Sequence, residues 1–251
     1  IDPCCGSGHF LVGAVDVLAH LHRALGAPSM DAAIDLAVGT NLHGLELDPR
    51  CTQIAAFAVG LACWTLPGAT PGRPLPRLQI ACCGERIAAN GEIWTLLTEC
   101  VPAKERPPIR TALEFLQNVC NDAPILGSLI DPSTALSRRD AIAAPWESVR
   151  PFLERAVQHT KTSHDAESQA TAIRAQGVSL AMHLLAQRYH LVTTNVPFLG
   201  REKQDPVLKN FCENRYPEAK ADLACVMLER CCELAGQHGV AAATASRPHF
   251  S

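Results

Sequence analysis

The stretch Asn195-Val196-Pro197-Phe198 combines residue types that can hold and present an amine. An Asn side chain offers one carbonyl acceptor and one amide donor. Pro197 has a fixed φ and no N–H, so the carbonyl before it stands rigid. The two carbonyls together can accept both hydrogens of an exocyclic amine and leave its lone pair aimed at a methyl donor. Phe198 adds a flat apolar face on which a planar base can stack, as extruded bases do. The bland alternative is a strand-to-loop turn with a buried Phe.

A second constellation lies at the start of the sequence, Asp2-Pro3-Cys4-Cys5-Gly6-Ser7-Gly8-His9-Phe10. Gly6 and Gly8 let a ligand approach the backbone, and the helix that follows offers its first N–H groups. A dinucleotide fingerprint needs a third glycine at position 11, where the chain has Leu11. Asp2 repels a pyrophosphate and attracts a cationic or amino group, which points to S-adenosylmethionine rather than NAD. Glu46, at the end of a second strand, can accept from both ribose hydroxyls. Asp48 competes for that part, but Asp-Pro more often caps a helix. Glu85, after a third strand, can accept from an adenine amino group.

These residues need elements to carry them. Apolar spacing predicts a helix over 9–25 ended by Gly26, a helix over 29–38 capped by Ser29, and a helix over 50–63 opened by Pro49. Short apolar runs predict strands at 42–48, 78–83, 189–194 and 240–245. Helices are expected at 111–121, 145–160 and 166–188, then to about Asn214, and over 218–235. The alternation implies an α/β fold, a doubly wound, mostly parallel sheet with ligands at the carboxyl ends of its strands. Residues 1–89 read as the cofactor-binding half, 90–188 as a helical insertion, and 189–251 as the catalytic-motif half of the same core.

Composition sets the outer bounds. The chain has 251 residues, 47% of them hydrophobic, enough for one sizeable core. Its net charge of −3 counts against a free-standing nucleic-acid binder, though not against a catalytic core. No apolar run is long enough to span a membrane. The 12 cysteines include no C-x-x-C pair, so we expect small buried hydrophobes in a reducing cytoplasm and no metal site. The sequence begins without Met inside a motif and ends in an expected strand, and it reads as a piece incomplete at both ends.

The two motifs together resemble the γ-type amino-group DNA methyltransferases, with Cys4 replacing Ala and Val196 replacing Pro in the family patterns. The continuation through Leu199, Gly200, Arg201, Lys203 and Gln204 resembles the PglX-type adenine methyltransferases of BREX phage defence, as does Pro217 to Leu223. The resemblance implies a Rossmann-like class I fold and methyl transfer to N6 of a flipped adenine in double-stranded DNA. It assigns Asp2, Cys5, Gly6, Gly8, Phe10, Glu46 and Glu85 to S-adenosylmethionine. Asn195, Val196, Pro197 and Phe198 would form the catalytic site. Other defence-system subunits are implied partners. Two other readings are methylation of a protein glutamine amide, and a non-catalytic DNA- or partner-binding piece of a defence complex.

Overall fold

The computed structural model describes residues 1–86, 104, 107, 120–133 and 166–244, the side chains of 166–175 excepted. The chain divides into two compact units, Ile1–Cys82 with Arg188–Ser251, and Cys83–Gln187.

The first unit starts with the Ile1–Asp2 backbone and continues through helix α1 (His9–Ala24) and helix α2 (Met30–Leu36). A π-helical turn at Ala37–Asn41 leads into strand β1 (His43–Glu46), helix α3 (Pro49–Thr65) and strand β2 (Gln79–Cys82). Strands β1 and β2 pair in parallel, His43 opposite Gln79 and Glu46 opposite Cys82. Strands β3 (Leu191–Asn195) and β4 (Val240–Thr244) form a second parallel pair, with Asn195 opposite Thr244.

Ile1 and Asp2 join the two pairs. The Asp2 amide donates to the His43 carbonyl at 3.0 Å, and the Leu45 amide donates to the Asp2 carbonyl at 2.9 Å. On the other side the Ile1 amine donates to the Leu191 carbonyl at 2.7 Å, and the Thr193 amide donates to the Ile1 carbonyl at 2.9 Å. Five segments therefore lie side by side in the order β2, β1, Ile1–Asp2, β3, β4.

Local chemistry sets the ends of these elements. Gly26 at φ 104° closes α1, with the Ala27 amide donating to the His22 carbonyl at 3.0 Å. The Ser29 hydroxyl caps α2 by accepting from the Ala32 amide at 3.1 Å. The Asp48 carboxylate caps α3 by accepting from the Arg50 amide at 2.8 Å, with Pro49 in the first turn. The strand expected over 42–48 is shorter for two reasons. The Leu42 amide is taken by the Ala37 carbonyl, which closes the π-turn, and Asp48 serves as the cap.

One core cluster packs Leu11, Val15 and Ala19 of α1 against Ile34 and Val38 and against Ala55 and Val59 of α3. Gly44 lets α1 sit directly on β1: a Cβ there would meet Leu11 Cδ1 at 2.7 Å and Cys5 Sγ at 3.4 Å. After β3 come helix α4 (Pro206–Arg215) and helix α5 (Leu223–Ala235). Cys231, Leu234 and Ala235 of α5 pack with Tyr189 and Val192, and Ile1 and Ala241 lean on the same cluster. The helix expected from Glu218 starts only at Leu223, because Asp222 is its cap and accepts from the Ala224 amide at 2.8 Å. The residue before that cap makes a loop contact instead, the Ala221 carbonyl accepting from the Arg201 amide at 3.0 Å.

The second unit holds a short helix at Ala123–Leu126, a 3-10 turn at Gly127–Leu129 and a long helix at Ala166–Ala186. Cys120, Ala123, Leu129 and Ile130 are buried, as are Ala181, Leu184 and Leu185 of the long helix. The helices expected at 111–121 and 145–160 lie mainly or wholly outside the described residues.

Cys5, Cys63, Cys212 and Cys231 are buried. Burial pushes the Cys63 thiol up to about 11 and the Cys231 thiol up to about 12, so both stay protonated near neutrality. Among the described residues no group of three or more His, Cys, Asp or Glu is placed to hold a metal. No helix among them is long and apolar enough to cross a membrane.

Candidate active site

The turn after Asp2 is built by backbone bonds. The Cys5 amide donates to the Leu45 carbonyl at 2.9 Å, and the Gly8 amide donates to the Cys5 carbonyl at 2.8 Å. Gly6 at φ 53° and Gly8 at φ 88° adopt left-handed backbone that favours glycine. Gly8 also lies against α3, where a Cβ would sit 3.0 Å from Ala55 Cα. Gly6 opens onto space, with nothing within 4 Å of where a Cβ would stand. Helix α1 begins at Gly8 with no side-chain cap, so its first N–H groups are the ones a ligand would meet. Phe10 is 38% exposed on that first turn, whereas the Cys5 side chain is buried.

Glu46 ends β1 beside this turn. Its Oε2 accepts from the Gly6 amide at 2.8 Å and its Oε1 accepts from the Asp48 amide at 3.0 Å. The carboxylate thus bridges the glycine turn and the β1–α3 turn. Asp48 faces away from that work: it pairs with Arg50 at 2.7 Å, and hydrogen bonds from Arg50 hold its carboxyl down at about 2. Asp48 caps the helix as the sequence suggests, and Glu46 holds the loop.

Asp2 is 1% exposed and accepts from the Cys4 amide at 3.1 Å. Burial pushes its carboxyl up to about 6, partly opposed by the Thr194 hydroxyl and the Cys4 amide. Thr194 immediately precedes Asn195, and the Thr193 amide before it donates to the Ile1 carbonyl, so the backbone that opens the first motif is bonded to the strand that carries the second. Because Ile1–Asp2 and β3 run in parallel, both motifs leave the sheet at the same edge.

Asn195 is the last residue of β3 and is exposed. The Thr244 hydroxyl donates to Asn195 Oδ1 at 3.4 Å, and the Val196 amide donates to the Thr244 carbonyl at 3.2 Å. The Val196 side chain is buried and anchors the turn, which leaves Pro197 exposed and Phe198 37% exposed. A flat apolar ring presented beside an exposed carboxamide is what holding a planar amine-bearing base requires.

Glu85 lies past the end of β2 in the second unit, and its expected contact with an adenine stays an expectation. Three contributions escaped the sequence. Ile1 bonds to β3, Thr244 reaches Asn195, and Gly44 admits α1. Each depends on which strands are neighbours, and no spacing along the chain encodes that.

No protein-family model matches the chain. It is 26% identical over 264 aligned positions to the adenine-specific methyltransferase BrxX of Escherichia coli O9:H4 (strain HS), covering 95% of this chain and 20% of that protein. It is 24% identical over 266 positions to the adenine-specific methyltransferase PglX of Lacticaseibacillus casei (strain Zhang), covering 96% of this chain and 19% of that protein. The chain spans about a fifth of the length of these curated relatives. The resemblance to PglX-type adenine methyltransferases carried by the two motifs is therefore met over nearly the whole chain.

Proposed function

We propose that this chain forms the core of a DNA adenine-N6 methyltransferase that uses S-adenosylmethionine and serves phage defence. The observation that carries the reading is the Ile1–Asp2 backbone, bonded to β1 on one side and to β3 on the other. It sets the glycine turn with Glu46 and the Asn195–Phe198 turn at one edge of neighbouring parallel segments. In this reading the five segments belong to one doubly wound, Rossmann-like sheet. Residues 1–89 and 189–251 are its two halves, and 90–188 is an insertion between them.

The residues present suit the cofactor. Gly6 and Gly8 allow close backbone approach, Glu46 has carboxylate oxygens for ribose hydroxyls, and Phe10 offers an apolar edge at the mouth. Asp2 favours a cationic or amino-bearing ligand, and Glu85 is assigned to the adenine amino group. When bound, S-adenosylmethionine supplies an electrophilic methyl group. Asn195 Oδ1 and the Val196 carbonyl accept the two hydrogens of the adenine amine, and Phe198 stacks on the extruded base. Held that way, the amine would keep its nitrogen lone pair free for the methyl group that the bound cofactor would supply, and would lose one proton to solvent once methylated. Double-stranded DNA is the substrate, other defence subunits are partners, and the cytoplasm is the compartment.

The test uses the full-length enzyme with tritiated S-adenosylmethionine and duplex DNA. Label should appear in N6-methyladenine, and Asn195→Ala should abolish it. Label in DNA that is unchanged by Asn195→Ala would sink the mechanism. Label appearing in a protein substrate and not in DNA would move the assignment to amide methylation.

A further inference from the structure

The turn that follows the Asn195–Phe198 motif is closed by one buried side chain. Gln204 is only 3% exposed, although it follows a 3-10 turn (Arg201–Lys203) on the surface. Its Nε2 donates to the Leu199 carbonyl at 3.1 Å. The Leu223 amide donates to that same carbonyl, also at 3.1 Å. A carbonyl oxygen has two lone pairs, so the Leu199 carbonyl is held from two sides. The surrounding backbone repeats the tie. Gly200 forms an antiparallel bridge with Asp222, and the Arg201 amide donates to the Ala221 carbonyl at 3.0 Å.

Leu199 is the residue directly after Phe198. Whatever fixes its carbonyl fixes the direction in which the chain leaves Pro197 and Phe198. One of the two clamps is backbone from the segment that caps α5, which any sequence can provide. The other is a side chain, and only a residue with a terminal donor at that reach can supply it. Gln204 Oε1 has no hydrogen-bond partner among the described residues, so the side chain is buried there at a cost. A structural role alone would be served as well by an apolar side chain of the same length.

Resting on the methyltransferase reading above, we infer that Gln204 is a positioning residue for the transferred-to base: its Nε2 bond to the Leu199 carbonyl sets Phe198 and the Val196 carbonyl in register with Asn195. It touches neither cofactor nor base and acts through Leu199.

Two variants of the full-length enzyme test this. Gln204→Met keeps length and burial but removes the donor. It should lower kcat by about ten- to a hundredfold, the scale of a misplaced reacting group. KM for S-adenosylmethionine should stay within about twofold, because the cofactor turn is built from other bonds. Gln204→Glu lacks the donor when ionised and regains one when protonated, and burial raises the pKa of such a carboxyl. Its kcat relative to wild type should therefore climb as pH falls from about 8 to about 6. Should the Met variant fail to fold, that ratio alone decides. A folded Gln204→Met enzyme with wild-type kcat, or a flat ratio for Gln204→Glu, overturns the inference while leaving the methyltransferase reading in place. A wild-type enzyme that transfers no methyl group to DNA ends the reading on which the inference rests, and the inference with it.

Discussion

The Gly6 amide donates to Glu46 Oε2 at 2.8 Å, a bond between residues 40 positions apart. It locks the turn before α1 to the end of β1, so the carboxylate organises the loop in addition to the cofactor role proposed for it. Glu46→Ala should weaken S-adenosylmethionine binding by about ten- to a hundredfold, the worth of one or two hydrogen bonds to a charged group. Asp48→Ala should lower the thermal midpoint, since it removes the α3 cap, and leave cofactor affinity alone. Calorimetry on the full-length enzyme separates the two acids. Equal losses of affinity would contradict their division of labour.

The two glycines of the turn should respond unequally to a methyl group. Both have positive φ, so each substitution by Ala carries the left-handed penalty of about 1–2 kcal/mol. Only Gly8→Ala also drives a Cβ to 3.0 Å from Ala55 Cα, a backbone atom that cannot step aside. Denaturant unfolding should therefore rank Gly8→Ala as clearly more destabilising than Gly6→Ala. The reverse order would mean that α1 and α3 are not packed through this turn.

The reach of the sequence followed the range of the forces. Asp48-Pro49 announced a capped helix, Ser29 announced another, and Gly26 announced a stop, because all three act within a few residues. Asn195 was legible as a strand end for the same reason. The start of α5 was not. Glu218-Ala219-Lys220-Ala221 has good helical propensity, yet Ala221 and Asp222 are engaged by Arg201 and Gly200, and that tertiary contact overrides propensity. The π-turn at Ala37–Asn41 left no composition signal. Thr244 could be placed opposite Asn195 only once the β3–β4 register was known.

Asp2 should make stability depend on pH in an acid window. Its ordinary value is 3.8 and its folded value is about 6, because burial disfavours the charged form. Between those values the folded state keeps a proton that the unfolded chain has lost. The contribution is fully present below about pH 4 and falls as pH rises through about 6, by about 3 kcal/mol in all. Asp2→Asn should flatten only the acid window. Unfolding by denaturant at pH 4, 5, 6 and 7 measures the difference, and parallel curves for the two proteins would refute it.

Arg230 is fully buried on the α5 face that the sequence marks as apolar by its spacing with Val226, Met227 and Leu234. Its charge is met within the same helix: Nη1 donates to Glu233 Oε2 at 3.0 Å. The same oxygen accepts from the Tyr216 hydroxyl at 3.1 Å, and Glu233 Oε1 accepts from Arg215 Nη2 at 3.0 Å. Glu233 is therefore the shared acceptor for three donors that join α4, the following turn and α5. Removing it takes an acceptor from a buried guanidinium and from two further donors at once, whereas removing a partly exposed donor such as Arg215 takes one contact from a half-exposed pair and costs far less. Glu233→Ala should thus destabilise the protein severely and Arg215→Ala mildly. Since α5 packs on Val192 of β3, the loss should also loosen the strand that ends in Asn195. Hydrogen exchange of the β3 amides is the measurement: faster exchange in Glu233→Ala than in Arg215→Ala is expected, and equal protection would show that the network does not support β3.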